Sequence, residues 1–135
     1  MKQSLRFTGI ALALLLITLS AAYVRAEKTA GAGQVVPGIP VKDTVTLVEL
    51  GSTSCIPCKM MAPIMDEVKA EYKGRVEVIF IDVWDRANAD KAKKFKIMAI
   101  PTQVFYDRQG KEAFRHTGFF DKASIKIKLD EILAK

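Results

Sequence analysis

From Thr44 to Leu50 the chain runs through β-favouring residues whose apolar side chains fall at both odd and even positions, and the run stops at Gly51. Successive side chains of a strand point to opposite faces, so a stretch that is apolar on both belongs at the centre of a sheet, in parallel pairing, with cover above and below. The rest of the chain supplies that cover. Met61, Met65, Val68 and Tyr72 recur at helical spacing and place a helix from about Ile56 to Lys73, ended by Gly74 and bent by Pro63. Val76 to Val83 reads as a second buried strand. A short, weakly amphipathic helix follows from about Ala87 to Phe95, with Ala92 and Phe95 as its apolar contacts. Gln103 to Tyr106 and Glu112 to Thr117 are strands around Asp107-Arg108-Gln109-Gly110, a hairpin signal. In Asp121 to Ala134, Ile125-Lys126-Ile127-Lys128-Leu129 alternates like a strand, whereas Ile125, Leu129 and Ile132 fit a helix capped by Asp121. The length favours helix. The order β-α-β-α-β-β-α predicts an α/β fold: a central mixed sheet of four to five strands, parallel where right-handed crossovers build it and antiparallel at the hairpin, with helices on both faces. In such sheets reactive groups gather at the carboxyl ends of the strands.

That end of the first strand carries the chain's two cysteines, Cys55 and Cys58, in Gly51-Ser52-Thr53-Ser54-Cys55-Ile56-Pro57-Cys58. Residues i and i+3 of a helical turn share a face about 5 to 6 Å apart, within the Cα separation a disulfide accepts. Cys55 lies beside the free N–H groups of the first turn, whose partial positive charge favours a thiolate, and is the expected nucleophile. Cys58, one turn in, is the expected resolving thiol. Pro57 is tolerated there because a first-turn N–H has no intrahelical acceptor. A structural zinc site needs about four ligands, and only the distant His116 could join the cysteines. Haem attachment would need histidine where Lys59 stands. A structural bridge enclosing two residues would constrain the unfolded chain little. A redox-active Cys55–Cys58 disulfide, with no further cofactor and no metal, is the leading reading.

Residues 1–26 read as a signal peptide: Lys2 and Arg6, an uncharged run from Phe7 to Leu19, then Ser20, Ala21 and Ala22, with cleavage after Ala22 or Ala26. An uncleaved anchor is the alternative, and either places the protein in the periplasm or another extracytoplasmic space. Residues 27–40, with Gly31, Gly33, Pro37, Gly38 and Pro40, read as a linker or arm, and residues 41–135 as the folded domain. Removing 1–26 takes away Lys2, Arg6 and Arg25 and no acid, lowering the net charge from +6 to +3. The remaining lysines are scattered, so nucleic acid is not an expected partner. In an oxidising compartment paired thiols need a redox partner.

Cys55-Ile56-Pro57-Cys58-Lys59-Met60-Met61-Ala62-Pro63-Ile64-Met65-Asp66-Glu67 resembles the active-site helix of the thioredoxin family, and Lys94-Phe95-Lys96-Ile97-Met98-Ala99-Ile100-Pro101-Thr102 resembles the segment ending in that family's cis-proline. The resemblance covers about Thr44 to Lys135. It implies the thioredoxin-like fold, a cis Pro101 against the disulfide, and substrate binding along Ile100, Pro101 and Thr102, with Ile56, Pro57 and Gly118 around them. Glu49 shares a strand face with Val45 and Leu47, where burial would raise its pKa. It occupies the position of the family's buried aspartate, which implies a proton acceptor for Cys58. Glutamate is longer, however, and Val78 stands where a lysine usually partners the acid, so a surface-turned Glu49 is the alternative. Ser54 and Gly51 replace aromatics, which predicts a less hydrophobic rim. Trp84 reads as packing and His116 as structural.

The expected function is an exported, monomeric thiol:disulfide oxidoreductase that reduces disulfides of client proteins, fed by a membrane thiol donor. Candidate clients are apocytochromes awaiting haem and wrongly paired secreted proteins. The absence of histidine between the cysteines, and Ile100 before the proline, resemble reducing members. Two rivals remain: an oxidant of secreted thiols, and a Cu(I) carrier using Cys55, Cys58, Met60 and Met61 as soft ligands.

Overall fold

The computed structural model describes residues 38–135. The expected signal peptide, and the expected arm up to residue 37, lie outside the described residues. The elements are β1 (Val45–Gly51), α1 (Ile56–Glu71), β2 (Val76–Asp82), a 3-10 turn (Arg86–Asn88) leading into α2 (Ala89–Lys94), β3 (Thr102–Tyr106), β4 (Glu112–Thr117) and α3 (Lys122–Leu133). The order is the one the periodicity predicts. One element differs in kind: the single helix expected over Ala87 to Phe95 begins as a 3-10 turn, because Asp85 accepts from the Ala87 N–H and tightens the entry.

The sheet has four strands in the order β2-β1-β3-β4. β1 runs parallel to β2 and antiparallel to β3, and β3 forms the hairpin with β4. Every residue of β1 is buried, as its two-faced apolar pattern requires. One face carries Val45 and Leu47, Val76 and Val78 from β2, and Phe105 from β3, packed against Met61, Met65, Val68 and Tyr72 of α1 and Ile125, Leu129 and Ile132 of α3. Val48, Leu50, Ile81 and Val104 form the other face with Phe95, the residue that caps α2. Helices therefore cover both faces. Each fully buried Leu, Ile or Phe contributes about 2 kcal/mol.

The ambiguous last segment is a helix because only that period buries the right residues. A strand would put Ile125, Ile127 and Leu129 on one face, but Ile127 is 56% exposed while its two neighbours are fully buried. Asp121 Oδ1 caps it by accepting from the Ser124 N–H at 3.0 Å. The Tyr72 hydroxyl donates to Asp130 Oδ1 at 2.9 Å and ties the end of α1 to α3. In the hairpin, Asp107 Oδ1 accepts from the N–H groups of Gln109 and Lys111, and Gly110 takes the left-handed φ of 75° that the turn requires.

Candidate active site

Cys55 is the N-cap of α1, with extended backbone (φ −93°, ψ 126°), and Pro57 sits in the first turn. The loop from β1 is held from below. Asp82, the last residue of β2, accepts through Oδ2 from both the backbone N–H and the hydroxyl of Thr53, each at 3.1 Å, and through Oδ1 from the Trp84 N–H at 3.0 Å. The Thr53 N–H is the main cause of the lowered pKa of the Asp82 carboxyl. The Ser52 carbonyl accepts from the Cys55 N–H at 3.2 Å. Asp82 is a site residue that sequence reasoning missed, since nothing local connects it to a threonine in the loop after β1.

Both cysteines carry free thiols. Cys55 is 9% exposed and Cys58 only 4%. Burial, followed by its hydrogen bond to Cys55, pushes the Cys58 thiol up to about 11, and the nearby charge of Glu49 adds to the shift. Gly51 makes this arrangement possible. A Cβ there would lie 3.3 Å from Cys58 Sγ and 3.2 Å from the Phe80 ring. The half-exposed Phe80 thus closes in where the sequence shows only a missing aromatic.

Glu49 is 2% exposed, so the surface-turned alternative is not what the fold adopts. Its burial follows from register: it continues the Val45–Leu47 row under α1. Desolvation raises its pKa to about 7, and Oε1 has no hydrogen-bond partner among the described residues. Glu49, Ser52 and Cys58 line one cleft of about 370 Å³ with Lys59, Asp66 and Phe80. A carboxyl that titrates near neutrality and a high-pKa thiol therefore share one space.

The proline segment reaches the same end of the sheet. β3 is antiparallel to β1 with Leu50 opposite Thr102, so Pro101 lies beside the point where the chain leaves β1 for Cys55. The Ile100–Pro101 peptide is cis. The Gly118 N–H donates to the Pro101 carbonyl at 2.8 Å, with Gly118 at φ 104°. The Thr102 hydroxyl donates to the Ala99 carbonyl at 2.8 Å and shares a hydrogen bond with Thr117. Ile100 is partly exposed.

Three sequence readings change or sharpen. Trp84, read as packing, is 62% exposed, because the turn held by Asp82 carries it past the end of the sheet, where no layer of the described residues covers it. The rim, expected to be less hydrophobic, loses aromatics at Gly51 and Ser54 but presents Ile56 and Met60, and Met98 just before Ile100, all well exposed. Met61 is fully buried and its Sδ accepts from the Phe120 N–H, which takes it out of any copper set. His116 stacks on Phe120 with ring centroids 4.2 Å apart, and its Nε2 lies 3.2 Å from the Phe119 carbonyl. Among the described residues no cluster of three His, Cys, Asp or Glu could hold a metal ion.

The family model described as Thioredoxin matches residues 38–131. Curated proteins described as thioredoxin from Staphylococcus aureus strains Mu50, MW2 and N315 are each 34% identical over 93 residues, covering 69% of this chain and 86% of the relative.

Proposed function

This chain belongs to the thioredoxin family and is a thiol:disulfide oxidoreductase; from that premise we propose that it is an exported reductase of client-protein disulfides. Cys55 as thiolate attacks one sulfur of the client disulfide. The Cys55–client bond forms, and the other client sulfur leaves with the electron pair and takes up a proton. Glu49 as carboxylate then accepts the Cys58 proton, and the Cys58 thiolate attacks Cys55 Sγ. The client's second thiolate departs and is protonated, so two electrons have passed from the dithiol to the client. The observation that carries this reading is the shared cleft of Glu49 and Cys58, with Cys55 in front of it at the helix N-terminus.

Client chain pairs along Ile100, Pro101 and Thr102, flanked by Ile56, Pro57 and Gly118, and the exposed Ile56, Met60 and Met98 supply apolar contact. The pattern at residues 1–26 supports export, and an exported reductase requires a membrane thiol donor to recharge it. The protein acts as a monomer.

The test is a trapping experiment. Reduced Cys58→Ser, mixed with a disulfide-bonded protein, should accumulate a mixed disulfide at Cys55, and Cys55→Ser should accumulate none. Absence of the adduct in Cys58→Ser would refute the exchange mechanism. Equilibration of the wild type with glutathione fixes the direction: a potential near about −270 mV supports the reductase, and one near about −120 mV reverses the electron flow.

A further inference from the structure

Opposite Glu49, on β3, stands a residue that the mechanism above leaves unused. Gln103 is the register partner of Glu49 and is fully buried. Directly opposed residues of an antiparallel pair project from the same face with Cβ atoms about 4.5–5.5 Å apart. Both side chains therefore enter the layer under α1. The Oε1 and Nε2 atoms of Gln103 and the Oε1 atom of Glu49 are the buried side-chain polar atoms that lack a partner among the described residues. Burying an amide unpaired is unfavourable, and an apolar residue would avoid the cost in a strand that continues with Val104 and Phe105. Two orphaned groups at facing positions, with no direct hydrogen bond between them, can be joined through one bridging water. No cross-strand neighbour among the described residues partners them. β2 offers only Val76, Val78 and Phe80 to this face, and His116, across from Gln103 on β4, is engaged with Phe120 and the Phe119 carbonyl.

We infer that Gln103 is a positioning residue for thiol exchange: through one bridging water its side-chain amide holds the Glu49 carboxyl turned into the cleft toward Cys58. The role rests on the reading of Cys55 and Cys58 as the exchanging pair. It acts on one step, the transfer of the Cys58 proton to Glu49 that precedes closure of the Cys55–Cys58 disulfide. The attack by Cys55 on the client is untouched. The titratable groups around the Glu49 carboxyl are Cys58, Lys59 and Asp66 from α1, with Cys55 in front of Cys58. β2 and β3 present none to it, and His116 lies one row further, on β4.

Gln103→Met keeps the length and removes the amide, and Gln103→Leu is a second apolar variant for the same buried site. Single-turnover reduction of a disulfide peptide, followed across pH, separates formation of the mixed disulfide from its resolution. In both variants the first step should keep its wild-type rate, while the second should slow by about tenfold to a hundredfold with a displaced pH profile. A purely space-filling glutamine would leave the profile where it is, and that result overturns the inference. A readout on the wild type does not depend on either variant folding. The Gln103 side-chain NH₂ resonances should move with the titration of Glu49 and cease to do so in Glu49→Gln. Resonances indifferent to that titration would likewise overturn it. Failure of the exchange reading is recognised separately, by the missing mixed disulfide in Cys58→Ser.

Discussion

Replacing Glu49 by glutamine should flatten the stability of the reduced protein between pH 5 and pH 8.5. The carboxyl is raised from 4.5 to about 7 by desolvation. At about 1.36 kcal/mol per pH unit, that shift corresponds to about 3 kcal/mol. Below 4.5 both folded and unfolded chains hold the proton, and the stabilisation relative to alkaline pH is complete. As the pH rises, the unfolded chain releases the proton first, so stability declines until the folded carboxyl ionises near 7. Above that the loss is complete. The window isolates this group. Cys58, raised from 9.0 to about 11 by burial, acts in the same sense but only above pH 9. Glu71, lowered chiefly by its hydrogen bond with Lys126, Asp82, lowered by the Thr53 N–H, and Asp121, lowered by the Ser124 hydroxyl, lose their contribution only as the pH falls through and below ordinary carboxylate values. Urea unfolding at several pH values measures the effect. With a slope of about 1–3 kcal/mol per molar urea, the wild-type midpoint should fall by about 1–3 M across the window, while that of Glu49→Gln stays level. Parallel curves for the two proteins would refute the assignment of this titration to Glu49.

Phe105→Ala should destabilise the fold by about 3–5 kcal/mol in urea unfolding, since Phe105 is fully buried, opposes Leu47 and meets the Phe114 and Phe120 rings edge-on at 5.5 and 6.4 Å. Asp121→Ala removes the α3 cap and should cost about 1 kcal/mol in the same assay, with Asp121→Asn restoring most of it. Gly51→Ala brings a Cβ to 3.3 Å from Cys58 Sγ and 3.2 Å from Phe80, so one of them must shift. We expect a loss of about 1–3 kcal/mol and a slower resolving step in single-turnover exchange, whereas an unchanged rate would show that the close approach is not needed.

The architecture was legible because it depends on periodicity. A strand apolar on both faces, a helical stripe from Met61 to Tyr72 and a hairpin turn with glycine each report their own geometry over a few residues, and the cysteine pair announces itself by spacing. What escaped the reading depends on register. Whether Glu49 is buried could not be settled from its own strand, because the answer lies in α1 packing over the row it continues. The Asp82–Thr53 contacts join residues 29 apart, and Phe80 closes on Gly51 only once β2 is placed beside β1. Trp84 was misread for the related reason that a large aromatic after a buried strand looks like core until the end of the sheet is known.

The same dependence on register sets Gln103 and Glu49 apart from their surroundings. In the sequence, Gln103 is a polar residue between Thr102 and Val104 in a β-rich run, and alternation alone would turn it outward as an edge residue of a half-exposed strand. β3 is not an edge. It lies between β1 and β4, and Thr102, Gln103, Val104 and Phe105 are all buried. Polar atoms inside an apolar layer persist where they serve one another or the chemistry beside them. Among the described residues a single cross-strand pair supplies the unpartnered buried side-chain atoms, and one member of that pair opens onto the cleft that holds Cys58. On the proposed mechanism, the stability lost by burying Glu49 and the proton acceptor for Cys58 are therefore two consequences of one placement. A variant that relieves the first, such as Glu49→Leu, should unfold at higher urea near pH 8 and at the same time resolve its mixed disulfide more slowly; a variant that gained stability with resolution undiminished would separate the two and remove Glu49 from the mechanism.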